Sequence, residues 1–161
     1  MYCKPNLSSE LNKIPENLSY FKEELLSETI VLDRIQPDIE SVLDVLVTPE
    51  IVSYKVVNTQ VGQSNEGQSL SGYKLVVEVK ITANATYVAT DCSQSVHGQG
   101  FQTMKSIFIV IPATIGTIDT CELVRSDKIQ VTPYIEFVKF RELDCRRINS
   151  CIMLLVNVTT C

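Results

Sequence analysis

Histidine is nearly absent from this chain, and tryptophan is absent altogether: the 161 residues include one His and no Trp. A catalytic site that needs an imidazole base would therefore have to use His97, which lies in a Ser-, Gln- and Gly-rich segment without a nucleophile motif. We interpret His97 as an ordinary polar loop residue and do not expect an enzyme. The glycines of residues 62–72 come without a phosphate-loop lysine, so no nucleotide cofactor is expected.

Positive charge is also scarce. The chain has 14 basic against 19 acidic side chains, and its longest basic run is the pair Arg146 and Arg147. Because nucleic acids and anionic membranes attract clustered Lys and Arg, neither is expected as a partner. No apolar run approaches the roughly 20 residues that span a bilayer, and residues 1–10 lack the apolar core of a secretory signal. These features predict synthesis in the cytosol.

The clearest pattern that is present is alternation. Apolar and polar side chains alternate over residues 75–89, as is typical of a half-buried strand. Runs rich in β-branched residues occur on both sides of this segment, separated by polar turns, at residues 51–59, 101–112, 128–143 and 150–160. The sequence therefore predicts six to eight strands in an all-β, antiparallel sandwich or barrel.

Two details of the strands can also be predicted. A strand as long as residues 75–89 should contain a bulge or bend, which we place near Asn84. The continuous apolar run at residues 107–111 predicts a central strand that is covered on both faces.

The beginning of the chain differs from the rest. Leu18, Phe21, Leu25 and Leu26 follow helical spacing, and Asn17 or Ser19 could cap a helix. Residues 1–30 are therefore predicted to be an N-terminal arm with one short helix, and residues 31–161 a single β domain. The segment 30–47 fits a strand or a helix, and we favour a strand.

An internal repeat supports this organisation. Val-Thr-Pro-Glu-Ile at residues 47–51 recurs as Val-Thr-Pro-Tyr-Ile at residues 131–135, and a turn and a second β run follow in both cases. Aligning residues 72–79 with 151–158 completes the match. Two related strand-turn-strand units with a pseudo-twofold relationship are predicted.

The same blocks carry a resemblance to a known family. Residues 47–51, 65–75, 94–97, 131–136 and 154–158 resemble, in that order, the signature segments of the SPOCS domain of clostridial spore-envelope proteins. The resemblance covers residues 31–158 and implies a place in the spore coat or on the spore surface. Some members carry a LysM module, and no segment here resembles one, which puts tethering to peptidoglycan in doubt.

Six cysteines are many for a chain made in a reducing compartment. Cys3 and Cys161 lie at the chain ends, which are usually accessible, and are candidates for disulfides between subunits. The other four lie in or beside predicted loops and are candidates for disulfides or structural thiols: Cys92, Cys121, Cys145 and Cys151. A metal site of Cys92, His97, Cys145 and Cys151 is a less favoured alternative, and no metal or other cofactor is predicted.

The leading functional hypothesis is a structural spore-surface protein that self-assembles into a coat layer or a filament. Exposed β edges or exchange of the N-terminal arm would join copies of the chain, and disulfides would lock them. Its main partner would be itself, with other spore-coat proteins as further candidates. The alternative is an adaptor that recruits another coat protein through one surface, and the third hypothesis is an enzyme acting on a coat polymer.

Overall fold

The computed structural model describes residues 13–160, which form eight strands and one short helix. The elements are β1 (Tyr20–Val31), β2 (Ile39–Gln63), β3 (Ser69–Ala89), β4 (Val96–Val110), β5 (Thr114–Ile115), β6 (Ile118–Asp119), α1 (Thr120–Arg125), β7 (Ile129–Asp144) and β8 (Arg147–Thr160). The predicted all-β fold is confirmed.

Six of the strands form two antiparallel sheets of three strands each. Sheet A has the order β1-β8-β7, and sheet B has the order β2-β3-β4. The edges of the sheets meet in pairs, because β2 lies beside β7 and β1 lies beside β4. Strands β5 and β6 form a separate small hairpin.

The two central strands, β3 and β8, supply most of the shared core. Alternation along each strand places every second side chain inward. The residues of these strands that belong to the core are Leu75, Val77, Val79, Ile81, Ala83, Ala85, Tyr87 and Ala89 in β3, and Ile148, Ile152, Leu154, Val156 and Val158 in β8. The core therefore depends on residues from both halves of the repeat.

The hairpins β2–β3 and β7–β8 share one register, which supports the predicted repeat. Ile51 lies opposite Val79, and its counterpart Ile135 lies opposite Leu154. The predicted alignment instead made Val79 equivalent to Val158. In the structure Val79 is equivalent to Leu154, four residues before Val158. Because side chains alternate between the two faces of a strand, a shift of four residues leaves each side chain on the same face of the sheet.

The short helix lies elsewhere than predicted. Residues 20–31 are extended and pair with β8 from Tyr20 opposite Val158 to Val31 opposite Arg147. The prediction of a helix there is wrong, because β8 offers an open backbone edge along its whole length. The part of the predicted arm before residue 13 lies outside the described residues.

The helix α1 occurs instead just before β7. It begins after Asp119, whose Oδ1 accepts hydrogen bonds from the amides of Cys121 and Glu122 at 2.8 and 3.2 Å. This is the N-cap arrangement that satisfies otherwise unpaired amides in a first helical turn.

The long strand β3 has no bulge near Asn84. Its pairing with β4 is uninterrupted from Lys74 to Val88. The pairing of β3 with β2 does shift register in places. The extra residues at these shifts, such as Val52, belong to β2. An edge strand can absorb an extra residue more easily than a central strand that pairs on both sides.

Strand β4 is an edge strand of sheet B and not the predicted central one. Ile107 and Ile109 face the core, whereas Phe108 and Val110 are 48% and 52% exposed on the opposite face. An apolar run does not therefore show that both faces are covered.

Candidate functional site

The single histidine lies at the start of β4 in a small polar cluster. Its ring stacks on Tyr87 with the ring centroids 5.8 Å apart, and its Nε2 lies 2.8 Å from Ser95 Oγ. The same hydroxyl donates to Asp91 Oδ2 at 2.5 Å. Hydrogen bonds from the hydroxyl and amide of Ser95, and then from the Ser93 hydroxyl, lower the pKa of Asp91 to about 2.

The order of contacts in this cluster does not match a catalytic triad. In a triad, histidine takes the serine proton and the carboxylate orients the histidine. Here the Ser95 hydroxyl lies between the two and donates a hydrogen bond to the Asp91 carboxylate instead. Asp91 and Ser95 lie in the short turn between β3 and β4, so the cluster serves to hold that turn in shape.

One end of the fold, which we name the turn end, is formed by residues 32–38, 90–95 and 145–146. The backbone joins these segments: the Ile39 amide donates to the Cys145 carbonyl at 2.8 Å, and the Thr90 amide donates to the Asp38 carbonyl at 2.9 Å. Both turns therefore flank the beginning of β2.

Two of the predicted cysteines lie at the turn end. Cys92 is in the β3–β4 turn and Cys145 is in the β7–β8 turn, and both are exposed. Cys92, Cys121, Cys145 and Cys151 all carry free thiols within the described part of the chain. The two exposed thiols can therefore be reached by another molecule.

The opposite end, which we name the terminal end, is where the described chain begins and finishes. β1 starts at Tyr20 opposite Val158, and β8 finishes at Thr160 opposite Ile129. Helix α1, with the half-buried Cys121 in its first turn, leads into β7 at this end. Cys3 and Cys161 lie outside the described residues, but Cys161 directly follows Thr160 in the chain.

Cys151 lies apart from the other cysteines, on the outer face of β8. It pairs with Ser27 of β1 on one side and with Lys139 of β7 on the other, and it lines a shallow concavity of about 210 Å³. Among residues 13–160, no three potential metal ligands of the His, Cys, Asp or Glu type come together. The alternative that combined Cys92, Cys145 and Cys151 with His97 is therefore wrong.

The connection from β1 to β2, residues 32–38, is fastened by Arg146. Its guanidinium donates to the carbonyl oxygens of Asp33 at 2.7 Å and Gln36 at 3.2 Å, and it pairs with the carboxylate of Asp38 at 2.5 Å. In the sequence, Arg146 is recognisable only as part of a short basic pair. Its role depends on residues more than 100 positions away, so the sequence carries no local signal for it.

Side chains bridge the two places where the sheets meet. Between β1 and β4, Lys105 Nζ lies 2.6 Å from Glu28 Oε1. Between β2 and β7, the Val42 amide donates to Glu142 Oε1 at 2.6 Å. The two sheets are therefore held together by the core and by individual polar contacts, and not by a continuous backbone ladder.

No family model, curated protein or solved structure matches this chain. The resemblance to SPOCS domains therefore stays a prediction. Within residues 13–160, no helix has the length and apolar character needed to cross a bilayer.

Proposed function

We propose that the protein is a structural component of the spore surface that self-assembles into a coat layer or filament, with its subunits joined head to tail. The observation that carries this proposal is the separation of the cysteines. Cys92 and Cys145 are exposed at the turn end, whereas the chain leading to Cys161 leaves from the terminal end. The spore location rests on the resemblance to SPOCS domains.

A head-to-tail contact joins two different surfaces of the same molecule. Such a contact repeats without limit unless its rotation closes a ring, so it produces rows or filaments. The turn end and the terminal end differ in their segments and in their thiols, which suits this type of contact better than a symmetric one. A row would bring a terminal cysteine of one subunit towards Cys92 or Cys145 of the next.

A disulfide at that contact would make the row covalent. Two thiols lose two protons and two electrons when the bond forms, and oxidised glutathione can accept them and become two molecules of glutathione. Exposure favours this exchange, because the attacking thiolate must reach the disulfide that it attacks.

Apolar side chains on the outer surface offer lateral contacts between rows. Leu25 on β1 is 67% exposed, and Met104 and Phe108 on β4 are about half exposed. Since β1 lies beside β4, these side chains belong to neighbouring strands. Covering them in a layer would remove apolar area from water.

The test is assembly of the purified chain at high concentration with oxidised glutathione, followed by electron microscopy and non-reducing gels. We expect filaments or sheets and a ladder of covalent oligomers. Replacing Cys92 and Cys145 by Ser should abolish the ladder. Replacing Cys121 and Cys151 by Ser removes the same number of thiols away from the turn end and should leave it intact.

Two results would contradict the proposal. Monomers that persist under oxidising conditions at high concentration would exclude self-assembly. A stable one-to-one complex with another coat protein, surviving Cys3→Ser and Cys161→Ser in a chain that forms no oligomers, would support the adaptor alternative.

A further inference from the structure

Strand β1 occupies in sheet A the position that β4 occupies in sheet B. Leu26 of β1 lies opposite Ile152 of β8, and Ile107 of β4 lies opposite Val77 of β3. The register of the hairpins makes Ile152 and Val77 equivalent, since each lies two residues from the equivalent pair Leu154 and Val79. The repeat therefore has three strands, and β1 is the third strand of the second unit.

The two third strands differ in how the chain connects them. β4 follows β3 through the short turn of residues 90–95. β1 has no such link to β8, because it precedes the first unit in the chain and reaches the second unit only by pairing. Its sole covalent link to the other described strands is the segment 32–38, which leads to β2 in the other sheet.

We propose that β1 is an exchangeable strand, which one molecule can place in sheet A of a second copy of this chain. The inference rests on the proposed self-assembly and names the segment that carries it. Exchange preserves the twelve residue pairs between β1 and β8, because the donated strand is identical to the one it replaces. Only the path of residues 32–38 has to change.

The buried face of β1 explains why its place must stay filled. Leu26 and Ile30 point inward and are almost fully buried in the shared core. A sheet that had lost β1 would expose that core and the backbone edge of β8, and it would accept another β1. Reciprocal exchange gives a closed dimer, whereas donation from each copy to the next gives an open row.

The register supplies a direct test, because Ser27 of β1 lies opposite Cys151 of β8. Residues that face each other in antiparallel strands have Cα atoms about 4.5–5.5 Å apart, which is within reach of a disulfide. Both side chains are on the outer face and at least partly exposed. The variant Ser27→Cys therefore reports which molecule supplies β1.

A matched control uses the same thiol. Lys139 of β7 lies opposite Cys151 on its other side, and the turn at residues 145–146 joins β7 to β8 directly. Lys139→Cys should therefore close a bond within one chain. Both variants are made with Cys3, Cys92, Cys121, Cys145 and Cys161 replaced by Ser, refolded at low and high protein concentration, and oxidised with oxidised glutathione.

On denaturing, non-reducing gels, Ser27→Cys should give covalent dimers or longer oligomers after refolding at high concentration and a bridged monomer at low concentration. Lys139→Cys should give a bridged monomer at both. Peptide mapping should place the intermolecular bond between residues 27 and 151. A double variant, Thr29→Cys with Asn149→Cys, reports on the same strand pair if Ser27→Cys folds poorly.

The proposal is wrong if Ser27→Cys forms only bridged monomers at every concentration, or if Lys139→Cys forms oligomers equally well. Electron microscopy of the bridged Ser27→Cys monomer shows whether self-assembly fails together with strand exchange or without it. Assembly of that monomer would show that copies associate without exchanging β1. Exchanged dimers of a Ser27→Cys chain that keeps its native cysteines, and that never build a larger assembly, would retain the inference and contradict the proposed function.

Discussion

Val52 in β2 and Glu136 in β7 occupy the same position in the two hairpins, since each is the extra residue of a bulge three positions after the proline of its Val-Thr-Pro motif. Their surroundings differ. Val52 is 52% exposed, whereas Glu136 is partly buried and no donor from residues 13–160 reaches its Oε2. Burial, followed by the charge of Glu23, raises the pKa of Glu136.

We expect Glu136→Gln to stabilise the protein at neutral pH. A raised pKa in the folded state means that the protonated carboxyl is favoured, and that the associated stability is lost as pH rises through that pKa. The gain should be a few tenths to about 1 kcal/mol, since the group is only partly buried. Urea unfolding at pH 7 and at pH 4 measures it.

The gain should shrink at pH 4, where the carboxyl of Glu136 is more often protonated. Glu23→Gln is the matched comparison. It should give a smaller gain in stability with the same pH dependence, because the charge of Glu23 is the second cause of the raised pKa of Glu136. An equal effect of Glu136→Gln at both pH values would contradict this explanation.

Two glycines of the β2–β3 hairpin offer a test of backbone strain. Gly67 and Gly72 both have left-handed φ angles, of +84° and +81°. A Cβ at Gly67 would meet nothing within 4 Å, whereas a Cβ at Gly72 would lie 2.7 Å from Cγ2 of Val61. Gly67→Ala should cost about 1–2 kcal/mol of unfolding free energy from the φ angle alone.

Gly72→Ala should cost more, because the collision with Val61 adds to the same strain. Thermal unfolding of the two single variants measures the difference. Adding Val61→Ala to Gly72→Ala should recover part of the loss while leaving Gly67→Ala unaffected. Equal losses in the two single variants would show that the Val61 side chain moves aside without a measurable cost in stability.

Local patterns explain which parts of the fold could be predicted. Alternation identified β3, and polar turns separated the later strands, because both signals lie within a few residues. β1 was missed because Phe21 and Leu25 are four residues apart, a spacing that places side chains on one face of a helix and also of a strand. The information that decides between them is the edge of β8, more than 100 residues away.

The polar cluster at the β3–β4 turn does have a local signal in the sequence. Asp91 is followed by Ser93 and Ser95, and a short carboxylate that accepts hydrogen bonds from residues two and four positions later is typical of a turn. That spacing places Ser95 beside Asp91. The contact between Ser95 and His97 then follows from the start of β4 and could not be read from the sequence alone.

The turn of residues 90–95 should loosen in acid. The pKa of Asp91 is lowered from 3.8 to about 2, so the stability that its carboxylate contributes is complete above about pH 4 and is lost as pH falls through about 2. Amide chemical shifts of Ser93 and Ser95, followed from pH 5 to pH 1.5, should report this transition. Asp91→Asn should remove it, and a transition centred near pH 4 would contradict the hydrogen-bonded geometry.

The segment 32–38 should become mobile when Arg146 is replaced. Arg146→Gln removes the contacts to Asp33, Gln36 and Asp38. It should lower the free energy of unfolding by about 1–2 kcal/mol, because hydrogen bonds from a charged donor are lost at a partly exposed site. Hydrogen exchange of the Leu32 and Ile39 amides, which donate to the turn of residues 145–146, should accelerate.

The neighbouring arginine provides the control for this prediction. Arg147 donates to Asp144 within its own turn at 2.7 Å, so Arg147→Gln removes a charge of the same sign one residue away without releasing segment 32–38. Its effect on hydrogen exchange of the Leu32 and Ile39 amides should be small.

If β1 exchanges between copies, Arg146→Gln should also increase the yield of the intermolecular disulfide between residues 27 and 151, because segment 32–38 must leave Arg146 before β1 can be donated. Equal exchange in the two arginine variants would show that the contacts of Arg146 do not restrain segment 32–38.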